Sequence, residues 1–127
     1  MTRTRIKIYF DGGARPNPGT IEIAVVCGGV AHIERDAGRG GSLDAEWLAL
    51  IAGLRLARTR GFEDFLLLGD AAAVVAQANG AARARGGAAV HLAAFRALVG
   101  DGPKPRIRHV GRAQNLAGIA LAKLHGR

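Results

Sequence analysis

The sequence predicts an α/β protein in which helices pack on a mixed β-sheet. Strand-like and helix-like segments follow one another in the order βββαβααβα, which is typical of one sheet of five strands flanked by helices. The 127 residues suffice for one domain with a single core. Apolar residues make up 49% of them, so the chain is expected to be folded. We therefore predict a single domain over residues 1–127.

The first half of the chain contains three predicted strands and the longest helix. Apolar and polar residues alternate along 6–10, which indicates a strand, and the breaker-rich segment 14–19 predicts a turn. Gly28-Gly29 separates two further runs, which predicts a hairpin. The expected elements of this half are strands at 6–10, 20–27 and 30–35 and a helix that Ser42 or Asp44 caps and that runs to about Thr59.

The second half completes the sheet and its helices. The short apolar run at 65–69 is typical of a strand in the buried middle of a sheet. Asn79-Gly80 is a good helix end, and Asn115 is a good helix start. The expected elements are a strand at 65–69, helices from about 71 to 79 and from 87 to 99, a strand at 106–110 and a last helix from Asn115.

The net charge of +8 is concentrated in the second half of the chain. Residues 1–70 contain nine acidic and nine basic side chains, whereas residues 71–127 contain nine basic ones and a single acid, Asp101. A one-sided basic balance indicates a polyanionic partner such as nucleic acid. A generally basic, arginine-rich proteome is the alternative explanation.

The cellular setting predicted from the sequence is the cytoplasm. Cys27 is the only cysteine, and no signal sequence is apparent, which fits a reducing compartment. No apolar run approaches the roughly 20 residues of a membrane helix. We expect no membrane contact, and no obligate protein partner is evident.

Three carboxylates stand where a metal site would need them. Asp11 ends the first strand, Asp70 ends the strand at 65–69, and Glu46 lies near the start of the long helix. Carboxylates at strand ends and at a helix edge can converge over one rim of a sheet, and Mg²⁺ prefers such oxygen ligands. Taken one by one, Asp11 could be a turn residue, Glu46 a solvated first-turn acid and Asp70 an N-cap.

The motifs around these residues resemble the type 1 ribonuclease H family. The matching segments are Asp-Gly-Gly-Ala-Arg-Pro-Asn-Pro-Gly at 11–19, Ala-Glu-Trp-Leu-Ala-Leu at 45–50, Gly-Asp at 69–70 with Val-Val-Ala-Gln at 74–77, and Arg-Ala-Gln-Asn-Leu-Ala at 112–117. The resemblance covers nearly the whole chain. It implies the ribonuclease H-like fold, in its compact form without a basic protrusion, and a Mg²⁺-dependent endonuclease that cuts RNA paired with DNA.

The resemblance also assigns roles to the carboxylates. It implies a two-metal site in which Asp11 bridges the ions and Glu46 and Asp70 hold the one near the leaving group. The family has a fourth carboxylate after the Asn-x-x-Ala segment, where this chain has Gly118, and no acid follows Asp101. We therefore expect weakened hydrolysis, with Mn²⁺ as a possible substitute for Mg²⁺.

Further residues are candidates for contact with the nucleic acid. They are Gly12, Gly13, Arg15, Asn17, Ser42, Gln77, Arg112 and Asn115. The glycines would let an RNA backbone approach closely or would merely form a tight turn. Gln77 could face the cleft or finish its helix, and Asn115 could equally cap the last helix.

Two functions fit this pattern. The first is a metal-dependent endonuclease acting on RNA/DNA hybrids, with an incomplete active site. The second is a catalytically inactive nucleic-acid-binding module on the same fold. Both predict hybrid affinity that falls steeply with salt, and only the enzyme requires Asp11 and Asp70. A third possibility, another nuclease or a transposase-like member of the wider superfamily, is disfavoured because no appended DNA-binding or oligomerisation domain is visible.

Overall fold

The computed structural model describes residues 5–102 and 104–126. Its regular elements follow the predicted order, with one short strand added. The strands are β1 (Ile6–Arg15), β2 (Gly19–Cys27), β3 (Val30–Glu34), β4 (Arg39–Gly40), β5 (Phe65–Gly69) and β6 (Arg106–His109). The helices are α1 (Ser42–Thr59), α2 (Ala72–Ala78), α3 (Gly87–Val99) and α4 (Leu116–Leu124), with a 3₁₀ turn at Arg112–Gln114.

The strands form one mixed sheet in the order β3-β2-β1-β5-β6. β1, β2 and β3 are antiparallel neighbours, whereas β5 and β6 run parallel to β1 and to each other. This confirms the predicted five-stranded mixed sheet. The two-residue β4, which lies between β3 and α1 and pairs with the start of β2, is an additional strand.

Helices cover both faces of the sheet. α1 packs across β1 and β2 and is backed by α3, and the main core between them contains Phe10, Trp47, Leu50 and Phe95, all buried. α4 packs on the opposite face, where Ala24, Val26, Ala117 and Leu121 form a smaller core. None of the described helices combines the length and apolar character needed to span a bilayer.

The first strand extends further than predicted. β1 continues through Asp11 to Arg15, and only the segment 16–18 forms the connection to β2. Gly12 pairs with Ile23 and Ala14 with Ile21, so an antiparallel partner satisfies the backbone where the sequence indicated a turn. Asp11 therefore lies inside a strand, and its interpretation as a turn residue is wrong.

The start of α1 also differs from the prediction. Gly41 is the N-cap residue, and neither Ser42 nor Asp44 occupies that position. Asp44 lies in the first turn of the helix, where its Oδ2 accepts the Gly41 N–H at 3.0 Å. A carboxylate one turn into a helix satisfies the free N–H of the cap in this way.

Candidate active site

Asp11, Glu46 and Asp70 converge at one end of the sheet. Each offers a carboxylate oxygen, and these oxygens lie within 4.8 Å of one another. All three residues are partly buried. The cluster comes from three elements that are distant in sequence, namely β1, α1 and the residue that follows β5.

The sheet register explains why the two aspartates meet. Tyr9 of β1 pairs with Leu68 of β5 in the parallel part of the sheet. Asp11 and Asp70 each follow their paired residue by two positions. Because side chains two residues apart point to the same face, both carboxylates emerge side by side on the face that α4 covers.

Glu46 is positioned by the close contact between α1 and β1. A Cβ on Gly12 would overlap the backbone carbonyl of Ala45, so only glycine allows α1 to approach this closely. The Gly12 N–H donates to Glu46 Oε1 at 2.8 Å. Gly12 is therefore required by the helix contact, and it lies in a paired strand and not in a tight turn.

The remaining single-residue explanations for the acids fail as well. Glu46 lies in the second turn of α1 and is partly buried, so it is not a solvated first-turn acid. The N-cap of α2 is Ala71, so Asp70 is not an N-cap. Turn formation and helix capping therefore do not explain why the three carboxylates converge.

The cluster concentrates negative charge in a partly desolvated place. Burial and the neighbouring Asp70 charge raise the pKa of Asp11 to about 6, against the weaker lowering influence of Arg112. Burial and the Asp11 charge raise the pKa of Glu46 to about 9. Repulsion between carboxylates disfavours their ionised forms, and a divalent cation would relieve it. The donor set therefore fits a hard cation such as Mg²⁺.

Asn115 connects the cluster to the last helix. Its Oδ1 accepts the Ala117 N–H at 3.1 Å, so it caps α4 as expected. Its Nδ2 donates to the Phe10 carbonyl at 3.0 Å and to Asp70 Oδ2 at 3.1 Å. Asn115 has 0% exposed surface, so the prediction that it contacts nucleic acid is wrong. It positions Asp70 and α4 instead.

Replacing Asn115 with alanine should strongly destabilise the protein. The change leaves the buried Phe10 carbonyl and the Ala117 N–H without their partner, which costs about 2–4 kcal/mol of unfolding free energy. Urea unfolding of the metal-free protein measures this. The matched control is Asn79→Ala, because the exposed Asn79 also donates its amide to a carbonyl, that of Ile107, at 2.9 Å. Equal losses in the two variants would contradict the assigned role of Asn115.

Gly118 lies beside the carboxylates, at the position where the resemblance implies a fourth ligand. A Cβ built at Gly118 would lie 3.4 Å from Asp11 Oδ2 and 3.7 Å from Asp70 Oδ2. A side chain at this position of α4 would therefore enter the cluster directly. Glycine within a helix costs up to about 1 kcal/mol relative to alanine, and no close packing in the structure requires it here.

The cluster opens into a cleft of about 560 Å³. The candidates for nucleic-acid contact that line it are Gly12, Gly13, Arg15, Asn17, Ser42 and Arg112. Asn17 and Ser42 form two hydrogen bonds with each other at the mouth of the cleft. Asn17 Nδ2 donates to Ser42 Oγ at 2.7 Å, and the Ser42 N–H donates to Asn17 Oδ1 at 3.2 Å. A Cβ at Gly13 would meet no heavy atom within 4 Å, so this part of the wall is open.

Gln77 is the other candidate that the structure places elsewhere. It is absent from the lining of the cleft, and its Oε1 accepts the indole N–H of Trp47 at 3.2 Å. Trp47 has 0% exposed surface, and a buried indole N–H needs such a partner. Gln77, near the end of α2, thus provides the hydrogen-bond acceptor that the buried Trp47 needs.

The sequence reasoning missed one polar pair in the cleft, Glu22 and His125. His125 Nε2 lies 2.7 Å from Glu22 Oε2, and both residues line the cleft. Although burial acts to raise it, contacts with His125 and Arg35 hold the pKa of Glu22 below its ordinary value. His125 follows Gly118 by seven residues, which places both on one face of a helix, and this spacing was the available signal.

Comparisons with known proteins agree with this geometry. A family model described as "Reverse transcriptase-like" matches residues 23–125. Ribonuclease HI of Halobacterium salinarum is 40% identical over 82 residues, which are 61% of this chain and 41% of that protein. The matched segment therefore spans less than half the length of that curated relative.

Solved structures match over more of the chain. The crystal structure of RNase H1 from Halobacterium salinarum NRC-1 has 32% sequence identity and a TM-score of 0.82, covering 98% of this chain and 100% of that one. LC11-RNase H1, isolated from compost and solved in complex with an RNA/DNA hybrid, has 25% identity and a TM-score of 0.81, covering 92% and 93% of the two chains. The family match, the shared fold and the carboxylate cluster lead to one conclusion: the chain belongs to the type 1 ribonuclease H family.

Proposed function

We propose that this protein is a metal-dependent endonuclease that hydrolyses the RNA strand of RNA/DNA hybrids. The observation that carries the proposal is the cluster of Asp11, Glu46 and Asp70 at the base of an open cleft. LC11-RNase H1, which was solved with an RNA/DNA hybrid, supports the choice of substrate. Family membership supports the reaction class.

The residues of the cluster would hold Mg²⁺ ions. When bound, such ions would supply activation of the attacking water and neutralisation of charge on the leaving oxygen. Asp11, whose carboxylate lies next to both Asp70 and the open position at Gly118, is suited to contact both ions. Glu46 and Asp70 would hold the ion nearer the leaving group. The Gly12 N–H and the Asn115 amide orient two of these ligands.

The cleft walls are suited to a nucleic-acid backbone. Arg15 and Arg112 are exposed at its rim and bring positive charge to phosphates. Gly13 leaves room for sugar or backbone groups, and the Asn17–Ser42 pair offers hydrogen-bonding groups at the mouth. Because the rim contacts are electrostatic, affinity should fall steeply as salt concentration rises.

The position of Gly118 favours reduced activity. A side chain there would reach Asp11 and Asp70, yet glycine supplies no ligand. With one carboxylate fewer, the cluster would hold a second divalent ion less tightly. Mn²⁺ binds such ligands more tightly than Mg²⁺, so it would restore part of the activity.

The same observation favours one rival, a catalytically inactive module that binds hybrids on this fold. It keeps the charged rim and the open cleft, and it requires no second ion. The rival and the enzyme both expect tight hybrid binding. They differ in whether the RNA strand is cut.

Cleavage of a hybrid labelled on its RNA strand tests the proposal. We expect cutting of the hybrid and not of double-stranded RNA or DNA, at least tenfold faster in Mn²⁺ than in Mg²⁺ and absent with a chelator. Asp70→Asn, purified identically, controls for contaminating nucleases. Tight, salt-sensitive binding without cutting in either metal would favour the inactive module, and preferential cutting of double-stranded RNA would overturn the substrate assignment.

A further inference from the structure

A fourth carboxylate, that of Glu22, lines the cleft beyond the three-carboxylate cluster. Glu22 of β2 pairs with Gly13 of β1, and Ala24 pairs with Asp11. Paired residues of antiparallel strands point to the same face, and so do residues two positions apart. Glu22 and Asp11 therefore share the face that α4 covers, with Cβ atoms about 7 Å apart as diagonal neighbours.

The space between these two carboxylates is open. Gly13, directly opposite Glu22, has no side chain, and a Cβ there would meet nothing within 4 Å. Gly118 leaves the α4 side of Asp11 equally free. Among the described residues that line the cleft, Glu22 is the only carboxylate besides the clustered three. It is therefore the available oxygen donor for an ion on this side of Asp11.

The present partners of Glu22 keep it at the cleft. His125 Nε2 lies 2.7 Å from Glu22 Oε2, and Arg35 Nη2 lies 3.5 Å from Glu22 Oε1. The arginine side chain is 61% exposed, so its contribution is small. A bound ion would therefore compete chiefly with His125 for the Glu22 carboxylate.

We propose that Glu22 is a ligand of the second divalent ion and replaces the carboxylate that α4 lacks at Gly118. The inference rests on the proposed two-metal function. It assigns a metal-binding role to a residue of β2 on the face of the sheet that α4 covers. The His125 contact would hold Glu22 ready when the ion is absent.

Calorimetric titration of the nucleic-acid-free protein with Mn²⁺ tests this role without an activity assay. We expect two binding steps, of which Glu22→Gln weakens the weaker about tenfold and leaves the stronger within twofold. The amide is isosteric and keeps a hydrogen bond to His125, so the melting temperature should stay within a few degrees. Glu34→Gln is the matched control, because it removes the same charge from the exposed neighbouring strand β3, outside the cleft, and should change neither step.

A second variant distinguishes a ligand from a structural anchor of α4. Gly118→Asp in the Glu22→Gln background should restore the weaker step, since it places a carboxylate on the same ion. Equal effects of Glu22→Gln and Glu34→Gln, a single Mn²⁺ step in the unmodified protein, or no restoration by Gly118→Asp would each overturn the proposal. Asp11→Asn should remove the stronger step. If it does not, the metal site of the proposed function fails, whereas failure at Glu22 alone leaves that function intact.

Discussion

Replacing Asp11 with asparagine is expected to abolish hybrid cleavage, with a loss of at least about a thousandfold in either metal. Asp11 lies at the centre of the cluster, and its Oδ2 is the cluster atom nearest to the position that a side chain at residue 118 would occupy. The amide keeps the shape of the side chain but removes the charge that both ions require. Initial rates on an RNA-labelled hybrid measure the loss. Residual cutting within tenfold of the unmodified protein would contradict a metal-dependent reaction at this site.

The same variant should be more stable than the unmodified protein when metal is absent. Because the folded-state pKa of Asp11 is raised from 3.8 to about 6, its ionised form is penalised by folding above that pH. Asp11→Asn should therefore gain roughly 1–2 kcal/mol at pH 8. The advantage should shrink as the pH falls from about 6 to 3.8, and it should vanish below 3.8, where Asp11 is protonated in both the folded and the unfolded state.

Two controls accompany this measurement. Excess Mn²⁺ should reverse the order of stability, because only the unmodified protein gains binding free energy from the ion. Asp36→Asn, which removes an exposed carboxylate outside the lining of the cleft, should leave the stability at pH 8 nearly unchanged. A destabilised Asp11→Asn at pH 8 would mean that charge repulsion does not dominate the site.

Replacing Gly118 with aspartate is expected to raise hybrid cleavage in Mg²⁺ by roughly ten- to a hundredfold. A Cβ at this position would already lie 3.4 Å from Asp11 Oδ2, so the new carboxylate would reach an ion that Asp11 holds. The gain should be smaller in Mn²⁺, which depends less on the added ligand. Steady-state cleavage rates in the two metals measure the difference.

Gly118→Asn is the matched control for this prediction. Asparagine has the same size as aspartate and a similar helix propensity, but it lacks the charge that a divalent ion needs. It should leave the Mg²⁺ rate within about threefold of the unmodified protein. Equal rates for the aspartate and asparagine variants would show that position 118 contributes packing and not a metal ligand.

Local sequence patterns were sufficient to predict the α/β architecture. Alternating apolar residues in β1 and the apolar run in β5 identified both segments as strands. The predicted ends of the elements were less accurate where pairing with a neighbouring strand determines where a strand ends. β1 continues through its glycines to Arg15 because β2 pairs with it, and no local pattern contains that information.

The carboxylate cluster was predictable for a different reason. Asp11, Glu46 and Asp70 follow motifs that resemble a known family, and the strand order places their elements at one rim. Whether each acid has a local structural role, such as a turn residue or a helix cap, could be decided only from its contacts in the structure. The Gly12 N–H on Glu46 and the Asn115 amide on Asp70 show that the acids are held by distant parts of the chain.

By itself, the sequence determined the α/β class, the order of the elements, the three carboxylates and the position of Gly118 after the last motif, because these depend on local periodicity and motifs. Only the tertiary structure decided which residues contact one another. Asn115 bonds to Phe10 across 105 residues, and His125 to Glu22 across 103. Periodicity predicts which face of a strand or helix a side chain occupies. The register of the sheet and the position of α4 on it decide which residues that face contacts. That is why Asn115 became a buried positioning residue and Glu22 a member of the cleft.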